Sequence, residues 1–203
     1  PEGAEKMLIK KVMGRQVPSG KLPADVGCVV SNTSTAKAIS DAIQKGMPLV
    51  ERAVSVTGDF IRNPGNYMVK LGTNVQELID HCGGITGDDV VLKMGGPMMG
   101  APLKDTNVPI IKGSNGVIAI AADHTEEKEC IKCGRCVDVC PMELQPLEIY
   151  KYGQLGDAEK LLTLNVMDCF SCKCCEYICS SKIPLVSKIN AAKGLVMPLL
   201  KKK

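Results

Sequence analysis

The stretch CIKCGRCVDVC at residues 130–140 decides the fold of the C-terminal part of this 203-residue chain. Its four cysteines are separated by two, two and three residues, and Pro141 follows the last of them. The same spacing recurs at residues 169–179 in CFSCKCCEYIC, which contains one additional cysteine, Cys174. Cys-x2-Cys-x2-Cys-x3-Cys is the spacing with which bacterial iron–sulfur proteins hold [4Fe–4S] clusters. The repeat therefore predicts two such clusters.

The motif also predicts which cysteines act together. In proteins with two clusters, the first three cysteines of a motif bind one cluster and the fourth binds the other. The first predicted ligand set is Cys130, Cys133, Cys136 and Cys179. The second predicted set is Cys140, Cys169, Cys172 and Cys175. Because the two motifs align without gaps in this register, Cys174 is predicted to be a buried cysteine that binds no iron.

Structural zinc is the main alternative, since paired Cys-x2-Cys segments also bind zinc. Zinc sites take two separated pairs, so three evenly spaced cysteines plus a fourth, present twice, favour iron–sulfur clusters. Nine of the 11 cysteines lie between residues 130 and 179, which argues against a dispersed disulfide scaffold. The isolated Cys28 and Cys82 are expected in the core. His81 and His124 are expected to be structural or solvated.

Composition excludes several other classes of protein. The net charge is +3 and only 3% of residues are aromatic, which argues against nucleic-acid binding. No apolar run reaches the roughly 18–20 residues that span a bilayer. The three lysines at 201–203 predict a solvated tail, with contact to anionic lipid as the alternative. No signal peptide is visible and the chain does not begin with Met, so we expect a fragment of a longer protein.

Upstream of the motifs, periodicity predicts an α+β chain. Two helices with glycine stops are predicted at 4–14 and 31–46, with a short strand at 28–30 between them. Between residues 51 and 122, the pattern indicates a hairpin, a helix capped by Asn74, and two further strands. The segment GGPMMG at 95–100 predicts a tight turn with two core methionines, or a glycine-lined approach to a cofactor. From residue 123 onward we expect irregular chain with two helices, at 157–165 and 184–194.

Several stretches together resemble the RnfC family, a component of the Rnf electron-transport complex. Besides both cysteine motifs, with the extra cysteine of CKCC, these stretches are PEGAEK (1–6), VPSGKLPADVG (17–27), GDFIRNPGNY (58–67) and MGGPMMG (94–100). The resemblance covers essentially the whole chain. It implies three domains: the C-terminal part of a flavin- and NADH-binding α/β domain (1–50), a soluble-ligand-binding β-grasp (SLBB) domain (51–122), and an α-helical, bacterial-ferredoxin-like domain for two [4Fe–4S] clusters (123–203).

The resemblance also implies cofactors, partners and a location. Full-length members bind FMN and NADH, and Glu5, Asn32 and Thr35 match positions on the flavin side; a capping Asn and an exposed Glu are the simpler interpretation. Members lie at the cytoplasmic face of the membrane as peripheral subunits, bound to other subunits of the Rnf complex, with ferredoxin or a flavin domain as electron partner. The family's glycine-rich stretch is absent here, so the chain alone is expected not to oxidise NADH. The β-grasp domain is expected to bind a ligand or to act as a spacer.

Three functions compete. The first is an electron relay within an ion-translocating ferredoxin:NAD+ oxidoreductase. The second is a flavo-iron–sulfur enzyme similar to cobalamin reductase, against which the motif spacings argue. The third is an interaction domain in which the clusters only stabilise the fold. The sequence offers no nucleophile–base pair, paired catalytic carboxylates or phosphate loop, which favours the relay.

Overall fold

The computed structural model describes residues 1–200, and the lysine tail at 201–203 lies outside this range. The chain folds into two compact units. The first, which we call the cysteine unit, combines residues 1–30 with the chain from Thr125 onward. The second, which we call the β-grasp unit, comprises Ser31–His124.

The β-grasp unit is built on a mixed five-stranded sheet with the order β2-β1-β5-β3-β4. Its strands are β1 (Glu51–Thr57), β2 (Gly65–Lys70), β3 (Val90–Met94), β4 (Ala101–Pro102) and β5 (Gly116–Ala121). The central pair, β1 and β5, is parallel, with Ser55 opposite Gly116, and the other neighbours are antiparallel. A hairpin, a helix and a parallel return strand give the β-grasp arrangement, and the α+β prediction is confirmed.

A single helix, α3 (Val75–His81), packs its buried face against this sheet. Asn74 caps the helix as predicted, because its side-chain oxygen accepts a hydrogen bond from the backbone N–H of Gln76 at 3.0 Å. The core between helix and sheet is formed by fully buried aliphatic side chains and Cys82; the largest are Val54, Val56, Val75, Ile79, Ile110 and Val117. Cys82 is thus a core residue, whereas Cys28 is only half-buried.

Two helices precede the sheet and the cysteine motifs. They are α1 (Glu5–Met13) and α2 (Thr33–Lys45), and each ends at a glycine in the left-handed conformation, as predicted. The predicted strand at 28–30 is wrong. These residues lie beside no other strand, Val29 is 90% exposed, and the chain turns directly into the cap of α2. A run of β-branched residues without a hydrogen-bonding neighbour does not make a strand.

The cysteine unit contains more helix than the sequence predicted. The short helix α4 (Arg135–Asp138) lies within the first motif, and α5 (Pro146–Leu155) and α6 (Ala158–Thr163) follow that motif. The short helix α7 (Cys174–Tyr177) lies within the second motif, and α8 (Leu185–Leu200) follows it. The helices predicted at 157–165 and 184–194 are present as α6 and α8, whereas α5 and the short helices α4 and α7 form where irregular chain was expected. A second core forms where α5 and α6 pack on α8, and its fully buried side chains are Ile149, Leu161, Val166, Ile183, Ile189 and Val196.

The segment at 95–100 forms a turn, with Gly95 at φ 111°. The methionines are not core residues: Met99 is 56% exposed and Met98 is half-buried. Gly100 is required because a Cβ there would overlap the carbonyl oxygen of Gly96. The sequence predicted the turn correctly but placed its methionines wrongly, because they lie in the turn after β3 and are not part of the core between α3 and the sheet.

We predict that Gly58→Ala destabilises the β-grasp unit more than Gly72→Ala does. Both glycines have positive φ, at 115° and 94°, so both variants carry similar backbone strain. A Cβ at Gly58 would overlap the backbone carbonyl of Ala119, whereas Gly72 has open space around it. The additional clash should cost about 1–3 kcal/mol in the free energy of unfolding, measured by urea titration. Equal losses in the two variants would contradict this packing.

Candidate iron–sulfur centre

The two cysteine motifs adopt the same backbone conformation at positions 39 residues apart. Positive φ angles recur at Lys132 and Ser171, at Gly134 and Lys173, and at Glu143 and Lys182. A four-residue helix follows the second cysteine of each motif, and each motif leads into a longer helix, α5 or α8, at the equivalent position. The two halves of the unit are therefore an internal structural repeat, although a proline follows only the first motif.

The structure brings the predicted thiols together in two groups. One cavity, with an empty volume of about 390 Å³, is lined by Cys130, Cys133, Cys136 and Cys179, and we call it site 1. A second cavity, of about 370 Å³, is lined by Cys140, Cys169, Cys172 and Cys175, and we call it site 2. Three thiols in each cavity come from one motif and the fourth comes from the other motif.

The walls of both cavities are largely apolar. Site 1 is closed by aliphatic and aromatic side chains from α5 and the segment before α8, namely Leu147, Tyr150, Ile183 and Leu185. Site 2 is closed by side chains around α5 and on α8, namely Met142, Leu144, Ile149, Val186 and Ile189. These side chains limit the access of water to the cavities, although Cys133 of site 1 remains exposed, and solvent exposure is one of the factors that set the reduction potential of a cluster.

This environment favours the neutral form of the most buried thiols. Burial, and after it negative charge on Cys169, Cys172 and Cys140, raise the pKa of the Cys175 thiol to about 12. Burial likewise raises the pKa of Cys136 in site 1 and of Cys140 in site 2. A bound metal would have to displace these protons, because the thiolate and not the thiol is the metal ligand.

The donor sets fit [4Fe–4S] clusters. Within residues 1–200, no three His, Cys, Asp or Glu side chains converge closely enough to hold one metal ion. The four thiols of each site instead surround a cavity. A [4Fe–4S] cluster takes its cysteine thiolates at different irons, so donors spread around a cavity are the arrangement that it needs.

Cys174 belongs to neither set of four thiols. It is buried, as expected, and lines neither cavity. Burial raises the pKa of its thiol, and a hydrogen bond with Cys172 raises it further. Its place in the repeat matches that of Arg135 in the first motif, and Arg135 is exposed.

Both histidines have the structural or solvated positions that were expected. His124 pairs with Asp89 at the surface, and His81 lies edge-on to the Tyr67 ring.

Three hydrogen bonds fix the second motif against α8. The Lys193 ammonium donates to the Cys169 carbonyl at 2.5 Å, and the Ser171 hydroxyl and the Asn190 side-chain oxygen are 3.0 Å apart. The Glu176 carboxylate accepts from the Val186 backbone N–H at 3.1 Å, near the start of α8. These residues could not be predicted from the sequence, because contacts between distant positions leave no local periodicity.

Ser181 fixes the end of the second motif to the start of the first. It is buried, and its hydroxyl donates to the Glu129 carbonyl at 2.9 Å, while its own carbonyl accepts from the Lys128 N–H at 2.8 Å. These bonds lie immediately beside Cys130 and close to Cys179. They therefore hold two thiols of site 1, from different motifs, at the same cavity.

The predicted flavin-side residues lie in separate units. Glu5 is exposed in the first turn of α1, in the cysteine unit. Asn32 and Thr35 belong to the β-grasp unit, where the Asn32 side chain caps α2 by accepting from the Ser34 N–H at 2.9 Å. The capping Asn and the exposed Glu of the simpler interpretation are both present, and the flavin role stays a prediction.

We predict that Ser181→Ala weakens the cysteine unit, whereas Ser180→Ala does not. The first variant removes the donor to the Glu129 carbonyl in a buried position, and such a loss costs about 0.5–1.5 kcal/mol. Ser180 is exposed and serves as the matched control. Urea unfolding of the reconstituted chain, without oxygen, would measure both. Indistinguishable midpoints would show that this bond does not hold the two motifs together.

Three sequence families match separate parts of the chain. Residues 1–41 match the family described as Nuo51 FMN-binding domain, residues 53–102 match the SLBB domain, and residues 129–183 match the 4Fe-4S dicluster domain. The order of these matches agrees with the order expected from the resemblance. Within residues 1–200, no helix combines the length and the apolar character needed to cross a bilayer.

Whole-chain relatives are components of oxidoreductase complexes, and each is the C subunit of its complex. The relative from the ion-translocating oxidoreductase complex of Rhodobacter capsulatus is 45% identical over 197 residues, covering 96% of this chain and 38% of the relative. The relative from the Na+-translocating ferredoxin:NAD+ oxidoreductase complex of Acetobacterium woodii is 42% identical over 95% of this chain and 44% of the relative. The proton-translocating counterpart from Clostridium ljungdahlii is 46% identical over 76% of this chain and 34% of the relative.

This chain thus spans between about a third and somewhat under half of the length of these relatives. In the relatives from Rhodobacter capsulatus and Acetobacterium woodii, the similarity covers 95–96% of this chain and so includes the flavin-domain match, the β-grasp unit and both cysteine motifs. The chain belongs to the RnfC family of the ion-translocating oxidoreductase complexes.

Proposed function

We propose that this chain is the electron-relay part of an ion-translocating ferredoxin:NAD+ oxidoreductase complex. The observation that carries the proposal is the pair of four-thiol cavities, each completed by the last cysteine of the other motif. Site 1 would hold one [4Fe–4S] cluster and site 2 the other. A bound [4Fe–4S] cluster supplies reversible one-electron transfer without breaking bonds in a substrate.

The residues of the chain provide the conditions that such a relay requires. The eight thiols supply the ligands and lose their protons on loading, and the apolar walls limit the access of water to both cavities. Because Cys140 and Cys179 each link one motif to the opposite site, the two sites share one rigid scaffold. Short separation and a fixed geometry are what rapid electron passage between two centres needs.

The remaining parts of the chain extend the proposal to the flavin side. We assign residues 1–50 to the end of a flavin domain, 51–122 to the SLBB domain and 123–203 to the two-cluster domain. Glu5, Asn32 and Thr35 would then lie towards FMN in the full-length protein, where NADH also binds. The match of residues 1–41 to an FMN-binding family supports this assignment.

The relatives indicate the kind of partner, since each is one subunit of a larger complex. We infer that this chain binds other subunits of an Rnf complex as a peripheral subunit at the cytoplasmic face of the membrane. Its electron partners would be the flavin domain on one side and ferredoxin or another subunit on the other.

We predict that the chain, reconstituted without oxygen, takes up about eight irons and eight sulfides. Cys174→Ala should retain this content, because the Cys174 side chain lines neither cavity. Cys175→Ala should lose or degrade one cluster, because it removes a thiol that lines site 2. Iron and sulfide analysis measures the content, and low-temperature EPR after dithionite reduction reports whether the clusters accept electrons.

Three outcomes would count against the proposal. Stoichiometric zinc without sulfide would exclude iron–sulfur clusters. Loss of four irons in Cys174→Ala with full content in Cys175→Ala would show that the ligand register is wrong. Clusters that assemble but cannot be reduced by dithionite would favour a purely structural role over a relay.

A further inference from the structure

We propose that the surface around Cys133 is a docking site for an acidic redox protein, and that site 1 exchanges electrons with that protein. The surface consists of Ile131, Lys132, Cys133 and Arg135, at the mouth of site 1. The inference rests on the proposed function, because it requires a cluster in site 1. Beyond that function, it specifies which of the two sites faces the partner and which residues recognise the partner.

The two sites differ in exposure although their backbones repeat. Cys133 is exposed, whereas every other thiol of the two sites is half-buried or buried. The equivalent of Cys133 in site 2 is Cys172, which is half-buried. Because electron transfer slows steeply with distance, the ligand that reaches the surface marks the shortest route between a bound cluster and a partner.

The charge at the mouth of site 1 selects the kind of partner. The lining of this cavity includes Lys132 and Arg135 and contains no carboxylate. Both cations are exposed, and across residues 1–200 neither has a carboxylate oxygen within 4.0 Å. Unpaired cations beside an exposed ligand attract an anionic surface and accelerate its arrival.

An apolar contact completes the surface. Ile131 lies between two cysteines of site 1 and is 69% exposed. Its equivalent in the second motif, Phe170, is half-buried in the lining of site 2. One exposed aliphatic side chain beside unpaired cations suits a small and transient interface, which is the class that electron-transfer partners use.

The second motif lacks these features. The equivalents of Lys132 and Arg135 are Ser171 and the buried Cys174, neither of which carries a positive charge. The cation in the lining of site 2 is Lys173, and its ammonium lies 4.0 Å from the Glu176 carboxylate. The internal repeat therefore allows the two sites to be compared directly. Their backbones are equivalent, but only site 1 has an exposed mouth with unpaired cations.

Site 2 is instead approached by the helix at the start of the chain. Lys10 of α1 forms an ion pair with Glu143 at 3.3 Å. A cavity of about 380 Å³ is lined jointly by the α1 residues Lys6, Met7 and Lys10 and by Pro141, Met142 and Glu143, which follow Cys140. Because α1 lies in the segment that matches the FMN-binding family, site 2 is the flavin-side centre and site 1 is the outward one.

The test measures the rate at which a reduced acidic bacterial ferredoxin reduces the reconstituted chain. One electron leaves the ferredoxin and enters the oxidised site 1, so no other reactant is needed. We expect Lys132→Glu and Arg135→Glu each to slow this reaction roughly tenfold or more at low ionic strength, with the difference shrinking as salt is added. Lys21→Glu is the matched control, since Lys21 is exposed, belongs to the same unit and makes no ion pair within residues 1–200.

Two further readouts distinguish a failure of the docking surface from a failure of the proposed electron-relay function. Reduction by the small cation methyl viologen should be as fast in both variants as in the parent chain, or faster, and EPR titration measures the potential of each variant, so that a smaller driving force is distinguished from slower docking. If the parent chain assembles no reducible clusters, the proposed function itself fails. If clusters assemble and viologen reduces them, but Lys132→Glu and Arg135→Glu behave like Lys21→Glu, only the docking surface is overturned.

Discussion

The cysteine unit depends on one constraint: the last thiol of each motif closes the site of the other motif. Cys179 completes the cavity that begins at Cys130, and Cys140 completes the cavity that contains Cys169. Neither site can be assembled from a continuous segment. The chain must therefore hold two segments, 39 residues apart, in a fixed mutual register before either set of four thiols exists.

The rest of the unit provides this register. The core in which α5 and α6 pack on α8 positions both motifs. In addition, Ser181, which follows the second motif, donates a hydrogen bond to Glu129, which precedes the first motif. The same apolar packing raises the pKa of Cys175 to about 12 and so disfavours its bare thiolate. Burial raises the pKa of Cys136 and Cys140 as well, so metal uptake must displace protons that the folded scaffold retains on these thiols.

The sequence predicted the elements whose signals are local. Asn74 and Gly46 mark helix ends through side-chain and backbone conformations that few other residues adopt, and both predictions are confirmed. The grouping of the eight thiols followed from cysteine spacing, because the spacing is imposed by the geometry of the cluster itself. Helix α5 was not predicted although Pro146 begins it and Gly156 follows it, because the cysteines on either side suggested irregular chain.

Other features could not be predicted because they depend on distant parts of the chain. The two-residue strand β4 exists only through its pairing with β3, and the strand predicted at 28–30 has no partner. Nothing near Ser181 or Lys193 in the sequence indicates that they bond to Glu129 and Cys169. The contrast between the two mouths is likewise a property of exposure, and the sequence alone shows only that Arg135 and Cys174 occupy equivalent positions.

The most direct test of this account is the EPR spectrum of reconstituted Cys179→Ala, compared with those of Cys133→Ala and Cys169→Ala. If the fourth cysteine of each motif binds the cluster of the other motif, Cys179→Ala should damage the same cluster as Cys133→Ala does. That cluster should be lost or converted to a three-iron form. The EPR signal that Cys169→Ala removes should remain in Cys179→Ala. A Cys179→Ala chain that instead loses the cluster of Cys169, and spares the cluster of Cys133, would show that each motif closes on itself and would contradict the account.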